Sequence, residues 1–256
     1  MSKARFPHPC SLDETTSHST KLPNSAAKSL VIPQTGEGDK VSLREFHDLP
    51  VVAAFDFDGT LTRRDTMFPF LLHVVGWGAF VRHVSALAPT LAAYVLGAMR
   101  NDIAKERVFA RFLSGMDSGE LQLRATRFAA EKLPGLLRAE AMRRVDWHKR
   151  QGHRCVLISA SLELYVRPWA LSAGFDDVIA TRLETLEQGR VSGNLSGENC
   201  FGIEKVRRLE ALVGARSGYT LYAYGDSRGD RELLSSADYA YYRGKLSVPG
   251  GRVLVG

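Results

Sequence analysis

The sequence predicts an α/β protein: a mainly parallel sheet with helices on both faces, and an all-helical cap inserted after the first strand. Three observations carry this. Short continuous apolar runs at residues 51–55, 154–158 and 219–224 are each bounded by turn residues, the pattern of strands buried on both faces. Helical stretches alternate with such runs through the second half of the chain, as crossover connections between parallel strands require. Residues 66–150, between the first two runs, read as almost entirely helical.

The totals are those of an ordinary globular protein. At 256 residues the chain can bury a full core, enough for one α/β domain with an insertion. Hydrophobic content is 45% and charged content 24%. The three cysteines, Cys10, Cys155 and Cys200, are far apart and in no CxxC spacing, so neither a disulfide framework nor a zinc site is expected. No apolar core follows the basic residues at the N-terminus, so the reading is of a cytoplasmic protein without a signal peptide. The net charge of +6 is concentrated in residues 66–150, which hold 13 Lys/Arg against 7 Asp/Glu. Such a segment attracts anions, whether an acidic lipid surface or a phosphorylated substrate. No aromatic-interleaved basic stripe accompanies it, and no nucleic-acid partner is expected.

In chain order, residues 1–45 are rich in Ser, Thr, Pro, Lys and Gly without periodicity and read as a disordered extension. The core is expected over 46–65 and 151–256, and the cap over 66–150. The stretch VVAAFDFDGTLT (51–62) then runs a buried strand into Asp56 and Asp58. Their spacing of two aims both side chains the same way. Neighbouring carboxylates repel unless a cation lies between them or one holds a proton, so a metal is expected.

Within the cap, VSALAPTLAAYVLGAM (84–99) is apolar on every side and flanked by Arg82 and Arg100. It falls short of the roughly 20 residues a membrane span needs. It reads as a helix buried in the cap bundle, or as a segment that dips into an anionic membrane. From Asn101 the pattern turns amphipathic, with Ile103, Val108, Phe109, Phe112 and Leu113 at helical spacing. Residues 121–133 and 136–147 repeat it across a Pro134-Gly135 break.

After the cap, the strand at 154–158 ends in Ser159-Ala160-Ser161, and a helix over 163–173 is stopped by Gly174. A short strand at 178–180 precedes a turn-rich hairpin at 185–202. A helix over 204–213 leads to the strand at 219–224, which ends in Gly225-Asp226. A helix from about 230 and a strand at 239–243 complete the set. The ends of parallel strands share one edge of the sheet, so Asp56, Asp58, Ser159, Asp226 and Asp230 can converge there, with Lys205 nearby.

The run FDFDGTLT, then ISAS, then the Lys of GIEKV, then YGDSRGD resembles the four motifs of the haloacid dehalogenase superfamily of phosphatases. The insertion after the first motif, the hairpin GRVSGNLSG and residues 199–205 are similar to its phosphoserine-phosphatase-like branch, subfamily IB. The resemblance implies a Rossmann-like core and a Mg²⁺-dependent attack on phosphomonoesters. Asp56 would be the nucleophile that forms an aspartyl-phosphate, and Asp58 the acid and then the base. Mg²⁺ would be held by Asp56, the Asp58 carbonyl and Asp226, with Asp230 acting through a water or by orienting Lys205. Ser159 and Lys205 would hold the phosphate, helped by backbone N–H groups around Gly59 and Ala160.

For the substrate, Asp65 falls where phosphoserine phosphatases carry an acid that meets the substrate amine. Arg107 resembles their cap Arg that meets its carboxylate. The second motif reads SAS rather than SGG, and the fourth GDSRGD rather than GDGAND. These departures look more like the group that includes phosphatidylglycerophosphatase C and histidinol-phosphate phosphatases. With a basic, apolar cap they imply a lipid phosphomonoester met at the inner face of an anionic membrane. A small metabolite such as phosphoserine or histidinol phosphate is the alternative, as is phosphoryl transfer to an acceptor alcohol.

Overall fold

The computed structural model describes residues 49–247; the extension expected over residues 1–45 lies outside them. Among the described residues there are eight strands in chain order: β1 (Val51–Phe55), β2 (Arg154–Leu162), β3 (Asp177–Thr181), β4 (Leu183–Thr185), β5 (Val191–Leu195), β6 (Thr220–Gly225), β7 (Tyr239–Tyr242) and β8 (Lys245–Ser247). Six of them form one sheet in the order β3-β2-β1-β6-β7-β8, parallel except for β8 at the edge. The strands β4 and β5 form a separate antiparallel hairpin, within the turn-rich stretch that predicted one.

Alternation along the central strands divides the core in two. Ala53, Phe55, Cys155 and Leu157 face one cluster, while Val52, Ala54, Val156 and Ile158 face the other. Helices α7 (Glu163–Ser172) and α6 (Ala139–Arg150) supply the first with Tyr165, Trp169 and Val145. Helices α8 (Ile203–Val213) and α9 (Arg231–Ser236) supply the second with Leu209 and Leu233. Each fully buried aromatic or aliphatic side chain contributes about 1.5–3 kcal/mol. With both faces covered, β1 can be apolar throughout.

Five helices precede α6: α1 (Met67–Val75), α2 (Trp77–Ala86), α3 (Ala88–Val95), α4 (Asn101–Leu113) and α5 (Ser118–Glu131). Two adjacent segments tie them to the sheet. Arg63 N–H donates to the Leu136 carbonyl (2.9 Å), and Arg138 N–H to the Leu61 carbonyl (2.8 Å). A β-bridge joins Thr62 to Leu137 between them. The helices beyond this neck form the cap, and its boundary corrects the expectation of a cap reaching residue 150. Helix α6 lies against the sheet instead: His148 Nε2 is 2.8 Å from the Tyr224 hydroxyl, and the Phe55 ring meets His148 edge-on.

A second correction concerns residues 84–99, for which burial in the cap bundle was one of two readings, the other being a segment that dips into a membrane. They form the end of α2 and all of α3, and neither helix has a buried residue. Leu87, at the joint between them, is the one buried side chain in the stretch. Phe80 and His83 of α2 pack on Phe112 of α4, Phe80 also meets Phe68 of α1, and Leu91 of α3 packs against the same cluster. Val95 and Leu96 are each 81% exposed. No helix among the described residues is long and apolar enough to cross a membrane.

Candidate active site

Strand register assembles the site. Phe55 pairs with Leu157 on one side and Tyr224 on the other, so the residues just beyond these three positions share one edge of the sheet. Asp56 follows Phe55 directly, while Ser159 and Asp226 each lie two residues beyond their paired positions. The expected edge is therefore formed by the sheet itself.

Asp56 is buried, and its Oδ1 accepts from Lys205 Nζ at 2.6 Å. The same Nζ donates to Asp230 Oδ1 at 2.6 Å. Burial raises the Asp56 pKa to about 6, although Lys205 pulls it down. For Lys205, burial opposes the charge, but Asp56 and Asp230 outweigh it and hold the pKa above the ordinary lysine range. Burial likewise opposes charge on Asp230, and Lys205 and Ser227 outweigh that too, leaving its pKa low. Asp230 Oδ2 accepts from the Ser227 N–H (3.0 Å) and hydroxyl (2.8 Å) and from the Asp226 N–H (3.2 Å). With both oxygens engaged, Asp230 positions Lys205.

Asp226 differs. Its Oδ1 is buried without a hydrogen-bond partner. Burial first, and then the Asp230 charge, raise its pKa. Asp56, Asp226 and Asp230 each place a carboxylate oxygen within 4.8 Å of the others. A buried, unpartnered oxygen among three carboxylates fits a hard divalent cation, which takes oxygen ligands. Gly59 makes room for the Asp226 carboxylate. Its φ is +77°, and a Cβ there would lie 2.2 Å from Asp226 Oδ2.

Asp58 is held in another way. Its Oδ1 accepts from the Thr66 N–H (2.9 Å) and hydroxyl (2.7 Å), and its Oδ2 accepts from the Ser161 hydroxyl. The Tyr165 hydroxyl lies 3.0 Å from Thr66 Oγ1. Burial, reinforced by the Asp65 charge, raises the Asp58 pKa to about 7 despite these hydrogen bonds. A carboxyl group that titrates near neutrality can both give and take a proton.

The other expected residues divide. Ser159 is buried, with its Oγ accepting from the Ser161 N–H at 3.0 Å. The Gly59 N–H donates to Thr62 Oγ1 (3.2 Å), so in this conformation it is not a free donor for phosphate. The Ala160 carbonyl accepts from Lys105 Nζ at 2.8 Å. Asp65 is exposed, and its Oδ1 accepts from the Met67 N–H (2.9 Å) at the start of α1. Arg107 is exposed on the outer side of α4 and has no hydrogen bond or ion pair among the described residues. The α4 cation that meets the core is Lys105, whose pKa is lowered by burial while the charges of Asp65 and Asp58 oppose the shift.

Lys105, Thr66, Ser161 and Tyr165 were not among the expected residues. Lys105 was detectable, since it precedes the buried Val108, Phe109 and Phe112 by three, four and seven residues, whereas Arg107 falls out of that phase. Ser161 also had a signal, sharing a strand face with Ser159. Thr66 and Tyr165 come together only through the fold, 99 residues apart.

Comparison with known proteins agrees with this architecture. Residues 53–235 match the haloacid dehalogenase-like hydrolase family. Over 202 residues the chain is 39% identical to Protein CicA of Caulobacter vibrioides, spanning 77% of this chain and 88% of that one. A crystal structure of a protein of unknown function from Bordetella pertussis superposes with a TM-score of 0.68 at 25% identity, covering 76% of this chain and 90% of that one. A phospho-aspartyl intermediate analogue of phosphoserine phosphatase shares the fold at TM-score 0.53 and 17% identity, over 76% and 87% of the two chains. By sequence match and by fold, this chain belongs to the haloacid dehalogenase-like hydrolases.

Proposed function

We propose that the protein is a Mg²⁺-dependent phosphomonoester hydrolase that works through an aspartyl-phosphate on Asp56. The observation that carries this reading is the unequal pair: Asp56 faces Lys205 and the orphaned oxygen of Asp226, while Asp58 faces the hydroxyls of Thr66 and Ser161. Asp56, the Asp58 carbonyl and Asp226 would hold the metal. Bound there, Mg²⁺ supplies positive charge that offsets the charge of the phosphoryl group.

In the first step an Asp56 oxygen attacks phosphorus and the ester oxygen leaves with a proton from Asp58. In the second, Asp58 as a carboxylate takes a proton from water, which attacks the same phosphorus and regenerates Asp56. Lys205 and the Ser159 hydroxyl neutralise and orient phosphate oxygens during both steps. Thr66 and Ser161 hold the Asp58 carboxyl in place for both proton transfers.

For the substrate we read a phosphomonoester whose remaining portion carries an anion, met by Lys105 where Arg107 was expected. A lipid phosphate such as phosphatidylglycerophosphate satisfies this. The exposed Trp77, Val95 and Leu96, flanked by Arg82 and Arg100, support peripheral contact of the cap with an anionic membrane. A phosphate-release screen of phosphatidylglycerophosphate in vesicles, phosphoserine and histidinol phosphate, with and without Mg²⁺, tests both levels. Release from the lipid, with protein pelleting on the same vesicles at low salt, is the expected result. Release only from the soluble esters overturns the lipid reading. Release from none of the three or from an aryl phosphate overturns the reaction. Diversion of phosphate to added alcohol would mark a phosphotransferase.

A further inference from the structure

Beside the catalytic carboxylates lies a cleft of about 950 Å³, between residues 59–61, helix α6 and the turn joining β7 to β8. Six cations line it, namely Arg138, Arg143, Arg144, Arg150, Arg243 and Lys245, against two acids, Glu140 and Asp226. None of the six is ion-paired with a carboxylate among the described residues.

Three of these cations are fixed from behind. Arg138 Nε donates to the Thr62 carbonyl at 2.9 Å, and Arg243 Nε to the Asp226 carbonyl at 3.2 Å. The Arg144 guanidinium lies 5.8 Å from the Trp147 ring centre and 5.4 Å from that of Tyr241. In each case the terminal N–H groups have no hydrogen-bond partner among the described residues. Arg243 adds a backbone signal. It sits at φ +51°, the only described non-glycine residue with positive φ, and with Gly244 it forms the two-residue turn between β7 and β8. Such turns ordinarily take Asn or Asp at that place. An Arg there is in a disfavoured backbone conformation, and its side chain lines the cleft with Nε bonded to the Asp226 carbonyl.

Like charges gathered without counter-charges repel one another, and a bound polyanion removes that repulsion. The volume is that of a site for a whole small molecule, larger than a single phosphate fills. Gly59 and Asp226 border the cleft, but Asp56, Asp58, Ser159 and Lys205 do not line it, so its occupant lies next to the transferred phosphoryl group without taking its place. We propose that this cleft is a binding site for a small polyanion of the oligophosphate class, distinct from the phosphate that is hydrolysed. Because the guanidinium groups of Arg138 and Arg243 hold the Thr62 and Asp226 carbonyls through Nε, an anion on their free terminal N–H groups pulls on the loops that carry Asp58 and Asp226. Occupancy is therefore expected to lower turnover without competing with substrate.

Calorimetric titration of the full chain with tripolyphosphate in metal-free buffer tests binding apart from activity. Wild type is expected to bind one equivalent, more tightly than it binds inorganic phosphate. In the triple variant Arg143→Ala, Arg144→Ala, Arg150→Ala the affinity should fall on the order of tenfold or more, while Arg→Lys at the same three positions retains most of it. Hydrolysis of an aryl phosphate should proceed with unchanged kcat in the Ala variant. Tripolyphosphate should lower kcat in wild type and not in that variant. Equal affinity in wild type and the Ala variant overturns the proposal, as does inhibition that raises KM alone and equally in both. If the Ala variant does not fold, Arg150→Glu and Lys245→Glu, single exposed charge reversals, replace it under the same criteria.

Discussion

Asp56 and Asp58 are two residues apart and both buried, yet their neighbours fit them for different tasks. Asp56 meets an ammonium, whereas Asp58 meets hydroxyls and the negative charge of Asp65. Asp65 raises the Asp58 pKa, so removing its charge lowers that pKa and the acid loses its proton at a lower pH. For Asp65→Asn, the alkaline limb of kcat/KM for an aryl phosphate should move down in pH; an unmoved or raised limb contradicts the assigned acid. Lys205 gives a second residue-scale expectation. Lys205→Met leaves Asp56 and Asp230 buried without their cation, which costs about 3–5 kcal/mol. The loss of thermal stability should be largest in metal-free buffer and smaller with Mg²⁺, which offsets the same carboxylates. A loss indifferent to Mg²⁺ would place the metal elsewhere. The carboxylates were legible in the sequence because strand ends announce themselves by composition. Lys105 against Arg107 was a question of helical phase, which the charge pattern alone does not answer.

At the scale of elements, the hairpin β4–β5 connects the core to the cap. Gly193, at φ +95°, lies so close to α4 that a Cβ there would stand 2.3 Å from Ala110 Cα. The Leu195 N–H donates to Glu106 on the same helix (3.2 Å), and Gly115 N–H to Val191 O (2.8 Å). The hairpin thus sets where α4, and with it Lys105, stands over the site. Gly193→Val combines overpacking with a disfavoured backbone and should cost ~3 kcal/mol, read as a lower denaturant midpoint. Wild-type stability in that variant would mean the hairpin and α4 are not in close contact. The hairpin was legible from its turn residues. The assignment of α6 was not, because an amphipathic helix reads the same whether its apolar face meets other helices or a sheet. Phe55, His148 and Tyr224 settle it by packing, and packing is not written in periodicity.

Across the whole molecule, a sheet edge supplies the carboxylates, the helices inserted after β1 pack over them through a shared apolar core, and positive charge collects around the site. The uniform apolarity of 84–99 predicted burial, but hydrophobicity states a preference and not which surface meets it. Here α2 and α3 turn Trp77, Val95 and Leu96 outward. The fold class, and the shared sheet edge on which Asp56, Ser159 and Asp226 meet, followed from alternation of strands and helices, whereas the strand order is set by packing. The basic cleft did not, because Arg138, Arg144 and Arg243 come from separate segments. All of these features serve one central claim, that phosphate passes through a covalent bond to Asp56. Chemical trapping addresses it directly: the enzyme is quenched during turnover of an aryl phosphate, reduced with borohydride, digested and sequenced by mass spectrometry. Homoserine at position 56, absent without substrate and from Asp56→Asn, is the expected result. Continued phosphate release by Asp56→Asn, or homoserine at another position, would contradict it.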